Sequence, residues 1–223
     1  MNNKQLIGFL SAAGGTGKSL VINTVSRYAQ KLYEALHVKF DKRSIVVTAL
    51  TGAAASSIIG ETTAKAFAFK REVRNELEEF KHAYLVIVDE ISFASVEDVD
   101  VLNQKMKQIV DNTMAPFGGV PVVFSGDFTQ LSPVGGIPPY RQDESAEWRQ
   151  SINVFMELKT NHRFGKDLVW GGGLLGRFRD HGPTTDEVAT INARVVGARN
   201  GPLEKMCPQM QYMQRRQMLI GWP

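Results

Sequence analysis

Five short apolar runs punctuate the chain: Leu6–Leu10, Ile45–Leu50, Tyr84–Val88, Val120–Ser125 and Val154–Leu158. In the middle runs Ile, Val and Phe follow one another with little polar alternation, the pattern of strands covered on both faces. Between the runs, apolar residues recur at helical spacing over Lys18–Leu36, Val73–Phe80 and Val96–Val110. Strands alternating with helices predict an α/β domain of three layers, a mostly parallel sheet flanked by helices. Such sheets bind ligands at the C-terminal ends of their strands. Polar motifs follow directly after four of the five runs.

Past Pro133 the pattern loosens. Gly135-Gly136-Ile137-Pro138-Pro139 reads as an irregular loop. Lys166–Asp180 contains Gly171-Gly172-Gly173, an awkward helix interior. Thr184–Arg194 reads as a short helix with Asp186 and Glu187 in its first turn. The expected organisation is one domain over 1–165, a helical extension over 166–202 and an atypical tail over 203–223, rich in Met, Gln and Arg.

The first run leads into Ser11-Ala12-Ala13-Gly14-Gly15-Thr16-Gly17-Lys18-Ser19 and then a helical pattern. Strand, Gly-rich turn ending in Gly-Lys-Ser, then helix is the layout of a phosphate-binding loop. Glycines let successive N–H groups point at phosphate oxygens, and the helix N-terminus adds partial positive charge. Lys18 would reach the outer phosphates and the Ser19 hydroxyl would ligate Mg²⁺. Ala12 stands where the strict pattern has its first Gly. The third run ends in Asp89-Glu90. Beside a phosphate loop, Asp89 would hold the metal and Glu90 would activate the attacking water. The fourth run delivers Gly126-Asp127-Phe128-Thr129-Gln130 to the same edge. From there Gln130 could bond the γ-phosphate or that water.

Composition adds little. The chain has 223 residues, 43% hydrophobic and 22% charged, with a net charge of +3. That balance permits a nucleic-acid partner without arguing for one. A lone Cys207 cannot form an intrachain disulfide. His37, His82 and His181 have no metal-ligand spacing. No apolar stretch approaches the roughly 20 residues of a membrane span. Met1–Ala13 faintly mimics a secretion signal, but the strand reading is preferred because the phosphate loop begins where cleavage would fall. No targeting address is readable, so nucleus, mitochondrion and bacterial cytoplasm stay open.

Taken in order, these motifs resemble the first RecA-like domain of superfamily-one DNA helicases of the petite integration frequency (PIF) family, including RecD-like and Helitron-type relatives. Gly14–Ser19 resembles motif I, Thr48–Ala55 motif Ia and Val88–Ser92 motif II. Pro116–Val120 with Gly126–Val134 resembles the approach to motif III, and Leu158–Phe164 motif IV. The resemblance covers roughly residues 5 to 200 and implies ATP and Mg²⁺ as cofactors, single-stranded DNA as partner and 5′-to-3′ translocation. It implies roles in repair, recombination and telomere maintenance. Lys18, Glu90, Gln130 and Arg163 would be catalytic. Gly14, Gly15, Thr16, Gly17, Lys18, Ser19 and Asp127 would bind nucleotide, Ser19 and Asp89 the metal. Thr51, Gly52, Thr62 and Lys65 would meet DNA.

Departures from the family pattern set further expectations. Ala64 replaces a His that usually follows motif Ia, and no adenine-reading Gln is evident; only Gln5 closely precedes the loop. The second RecA-like lobe is expected to be missing, so the chain should bind nucleotide, hydrolyse it feebly and not unwind DNA. The tail near Pro208 can be read in a shifted frame that resembles entry into that lobe, so a frameshift is one account and an unrelated disordered tail the other. A second functional reading stays open, a non-catalytic nucleotide-responsive module binding DNA or protein. Phe67, Phe69, Phe80, Trp148 and Trp170 fit base stacking or core packing alike.

Overall fold

The computed structural model describes residues 5–37, 40–41, 43–58, 60–69, 80–141, 146–163, 174, 177, 182 and 184–192. The chain divides into two compact units, Met1–Gly165 and Lys166–Pro223. In the first, six strands form one sheet: β1 (Ile7–Ala12), β2 (Ile45–Ala49), β3 (Glu61–Thr62), β4 (Leu85–Asp89), β5 (Val122–Gly126) and β6 (Val154–Leu158). Their order is β3-β2-β4-β5-β1-β6 and every pairing is parallel. All C-terminal strand ends therefore share one edge, where a doubly wound sheet collects its ligands.

Alternation along the buried strands supplies two apolar faces. Phe9, Val86, Val88, Val122 and Phe124 pack against Val99, Leu102, Met106 and Ile109 of α4 (Val96–Val110). On the other face Ile87 meets Ile22 of α1 (Lys18–Ala35), with Ala55 and Ile58. Helix α4 starts where expected because Ser95 and Asp98 form a reciprocal capping box. The aromatic ambiguity resolves toward packing. Trp148 is buried among Phe9, Phe124 and Phe128, and Phe67 stacks on Phe80 within the core.

Among the described residues, one strand and three α-helices escaped the periodicity because each is too short to show one: β3, α2 (Gly52–Ser57), α3 (Thr63–Ala66) and α5 (Ala146–Ser151). Strand β6 lies at the sheet edge, with Val154, Phe155 and Met156 exposed. In the second unit α6 (Thr185–Asn192) begins with Thr184 and Glu187 bonding each other's backbone N–H groups, and Arg177 pairs with the Glu187 carboxylate. The helix expected over Val73–Phe80, apart from Phe80, lies outside the described residues. So do Gly171-Gly172-Gly173, Trp170 and the 203–223 tail.

Candidate nucleotide-binding site

Strand β1 ends at the buried Ala12, and α1 begins at Lys18. Two of the glycines between them take left-handed backbone: Gly15 at φ +88° and Gly17 at φ +96°, the latter capping α1. That geometry excludes most side chains. A Cβ at Gly15 would stand 2.5 Å from Cβ of Arg163 and 3.0 Å from Oδ1 of Asn161, while Gly17 has open space around it. Thr16 is buried, and its hydroxyl donates to the Ala13 carbonyl at 2.8 Å, which braces the turn from inside. Ser19 lies half-buried in the first turn of α1.

The Lys18 ammonium donates to Asp89 Oδ1 at 2.7 Å and to Glu90 Oε1 at 2.8 Å. Asp89 sits at the end of β4 with its side chain 2% exposed. It also accepts the Glu90 N–H at 2.9 Å. Glu90 is held in left-handed backbone, φ 57° and ψ 40°, an arrangement rarely tolerated outside Gly, Asn and Asp. Its second oxygen, Oε2, is buried and has no hydrogen-bond partner. Strain of this kind is retained where the surrounding structure over-determines it, commonly at active sites.

The other predicted residues lie around this centre in varied settings. Asp127 is buried just past β5, and its Oδ1 accepts the N–H and hydroxyl of Thr129 at 3.1 and 2.7 Å. Gln130 is exposed, and its amide stands 3.5 Å from Asp127 Oδ2. Arg163 is exposed, and one of its guanidinium nitrogens lies 3.5 Å from where a Gly14 Cβ would stand. Thr51 caps α2, its hydroxyl accepting the Ala54 N–H at 3.2 Å. Gly52 is exposed and has nothing near its Cβ position. Thr62 precedes α3, and the exposed Lys65 pairs with Glu61 at 3.0 Å. Thr51 and Thr62 follow or end β2 and β3, so they share the strand-end edge with the loop. Gln5 serves the opposite end of β1, donating to the Pro116 and Val120 carbonyls at 2.8 and 2.7 Å.

Periodicity and motif reading singled out no role for Asn161. Its amide donates to the Gly14 carbonyl at 3.0 Å and its Oδ1 accepts the Arg163 N–H, while the His162 N–H reaches the Gly15 carbonyl at 2.8 Å. The segment after β6 thus clamps the loop after β1, its parallel neighbour. Asn161 lies inside the motif that supplies Arg163, which is the signal that could have found it.

The family model for PIF1-like helicases matches residues 1–169. The chain belongs to the PIF1-like helicase family. It is 29% identical over 176 residues to the ATP-dependent DNA helicase PIF1 of Saccharomyces cerevisiae, covering 72% of this chain and 20% of that protein. It is 34% identical over 139 residues to the ATP-dependent DNA helicase RRM3 of the same species, covering 56% and 18%. It spans about a fifth of the length of these curated relatives. The crystal structure of Pif1 helicase from Candida albicans is 26% identical, with a TM-score of 0.67 over 83% of this chain and 43% of that one. Bacteroides Pif1 bound to single-stranded DNA superposes with a TM-score of 0.70 over 98% of this chain and 54% of that one; at 19% identity it speaks for the fold alone.

The residues fit a magnesium nucleotide. Mg²⁺ takes oxygen ligands, usually one or two from the protein and the rest from phosphate and water. Ser19 and Asp89 supply an oxygen pair of that kind. No cluster of three or more His, Cys, Asp or Glu suited to a metal occurs among the described residues. The open space at Gly17 leaves room for phosphate against the helix N-terminus.

Proposed function

We propose that this chain is the nucleotide-binding motor lobe of an ATP-dependent DNA helicase that moves 5′ to 3′ and serves repair, recombination and telomere maintenance. The convergence of Lys18 with Asp89 and Glu90, at 2.7 and 2.8 Å, carries the reading. It brings phosphate ligand, metal ligand and general base to one point of the strand-end edge.

In this reading the loop N–H groups and the α1 N-terminus hold the phosphates, and Lys18 turns from its carboxylates to the outer phosphate oxygens. Ser19 and Asp89 would hold Mg²⁺, and that ion would supply Lewis-acid polarisation of the phosphoryl oxygens. Glu90, freed of Lys18 and with an unpartnered oxygen, takes the proton from the attacking water. Gln130 orients that water, and Arg163 brings positive charge toward the γ-phosphate from beside Gly14. Thr51, Gly52, Thr62 and Lys65 contact single-stranded DNA at the adjoining strand ends. Asp127 binds nucleotide and, through its bonds to Thr129, fixes the turn that carries Gln130.

The test is nucleotide binding and ATP turnover by the purified chain, with and without single-stranded DNA. Lys18→Ala should abolish binding. Glu90→Gln should keep binding and lower turnover by about 10²-fold or more, the usual share of a general base. Failure of the unaltered chain to bind ATP would overturn the reading. Binding with no turnover, even with DNA present, would instead support a nucleotide-responsive binding module.

A further inference from the structure

Ser125 is fully buried, and its hydroxyl has no hydrogen-bond partner. An orphaned hydroxyl in a dry interior is costly, and native structures rarely keep one without a use. Register shows what surrounds it. On β1 its parallel partner is Leu10, a buried apolar residue. On β4 the pairing runs Val86↔Val122, Ile87↔Val123, Val88↔Phe124, and the next step sets Asp89 beside Ser125. Strand alternation puts Ser125 on the face of Val123 and Asp89 on the face of Ile87, and those two belong to the cluster packed under α1. Ser125 therefore has an apolar neighbour on one side and the Asp89 carboxylate on the other, beneath the helix that begins with Lys18.

We infer that Ser125 is a positioning residue for the metal-binding carboxylate. When Lys18 turns to the phosphates, Asp89 loses the cation that fixes its orientation. The Ser125 hydroxyl then donates to Asp89 and holds the carboxylate plane for Mg²⁺. Ligating carboxylates are ordinarily fixed by such an outer hydrogen bond. The inference rests on the reading of Asp89 as metal ligand. No metal is touched by Ser125 itself.

The test measures affinity of the whole chain for a fluorescent ATP analogue, in EDTA and across a Mg²⁺ titration, for the unaltered protein, Ser125→Ala and Ser125→Cys. Ala removes one buried oxygen and Cys keeps the volume with a weak donor, so both should fold. Affinity in EDTA should be the same in all three. The Mg²⁺ concentration giving half of the magnesium-dependent gain should rise about ten-fold in both variants, the lower end of what loss of an outer-shell partner costs. An unchanged Mg²⁺ midpoint in Ser125→Ala overturns the inference and leaves the site reading intact. No magnesium-dependent gain in the unaltered protein overturns both.

Discussion

At the scale of single residues, Lys18 is tied to the fold as well as, in the proposed function, to chemistry. Asp89 is buried, and the Lys18 ammonium is the cation that meets it. Removing one partner of a buried pair leaves the other uncompensated, at about 3 kcal/mol or more. Lys18→Ala should therefore lower the urea midpoint as well as abolish nucleotide binding. Adding Asp89→Asn should restore much of the stability and none of the binding; a double variant no more stable than Lys18→Ala would refute the coupling. Gly15→Ala should disturb the loop itself. A left-handed backbone and a Cβ 2.5 Å from that of Arg163 would force the 161–163 clamp off the loop. Nucleotide affinity should fall by about 10²-fold, in line with a site whose supporting shell has shifted by an ångström. Lys18, Asp89 and Glu90 were legible in the sequence because each ends an apolar run or opens a helix. Ser125 and Asn161 were not, since the groups beside them are distant in the chain: register sets Asp89 next to Ser125, and Asn161 bonds Gly14 in the loop after β1.

At the scale of elements, legibility followed length. Helix α4 is legible to the residue because fifteen positions carry its period, and the structure adds the Ser95–Asp98 box that fixes its start. Helices α2 and α3, of six and four residues, hold fewer than two turns; the Thr51 hydroxyl caps α2, whereas Thr62 precedes α3 with no side-chain cap bond. Thr51 consequently has two duties, capping α2 and, in the proposed function, touching DNA phosphate. The two separate by charge. Thr51→Asp keeps a good N-cap and adds a negative charge that favours the helix. It should leave thermal stability within about 0.5 kcal/mol, the range of surface changes, yet weaken single-stranded DNA binding measured by anisotropy. Thr51→Ala should lose both, with the cap worth about 1 kcal/mol. Helix α6 gives a pH test. Hydrogen bonding from Arg177, then from the Thr184 backbone, holds the Glu187 carboxyl below its usual value. A depressed carboxyl stabilises the folded form above its unfolded pKa, and that contribution is lost as pH falls through the folded pKa. Protection of amides at the start of α6, measured against an unstructured peptide at the same pH, should therefore fall on acidification below the ordinary Glu range, and Glu187→Gln should make that protection insensitive to pH there.

For the whole molecule, the parallel sheet explains why one edge carries the candidate groups, and in the proposed function the same edge limits how DNA could be gripped. Of the four proposed DNA contacts, Thr51, Gly52 and Thr62 are neutral and only Lys65 is a cation. Lys65 is wide open to solvent, and its pair with Glu61 at 3.0 Å is exposed on both sides. Such pairs are worth little, so Lys65 can exchange Glu61 for a phosphate at small cost. Single-strand binding releases counterions in proportion to the phosphates neutralised, with a slope of about −0.7 in log affinity against log salt for each one. If Lys65 is the cation engaged, this lobe should show a slope near that single-phosphate value, and Lys65→Ala should flatten it. Glu61→Gln should raise affinity at low salt, because the competing carboxylate is gone. A steep slope that survives Lys65→Ala would place the DNA path on cations other than Lys65.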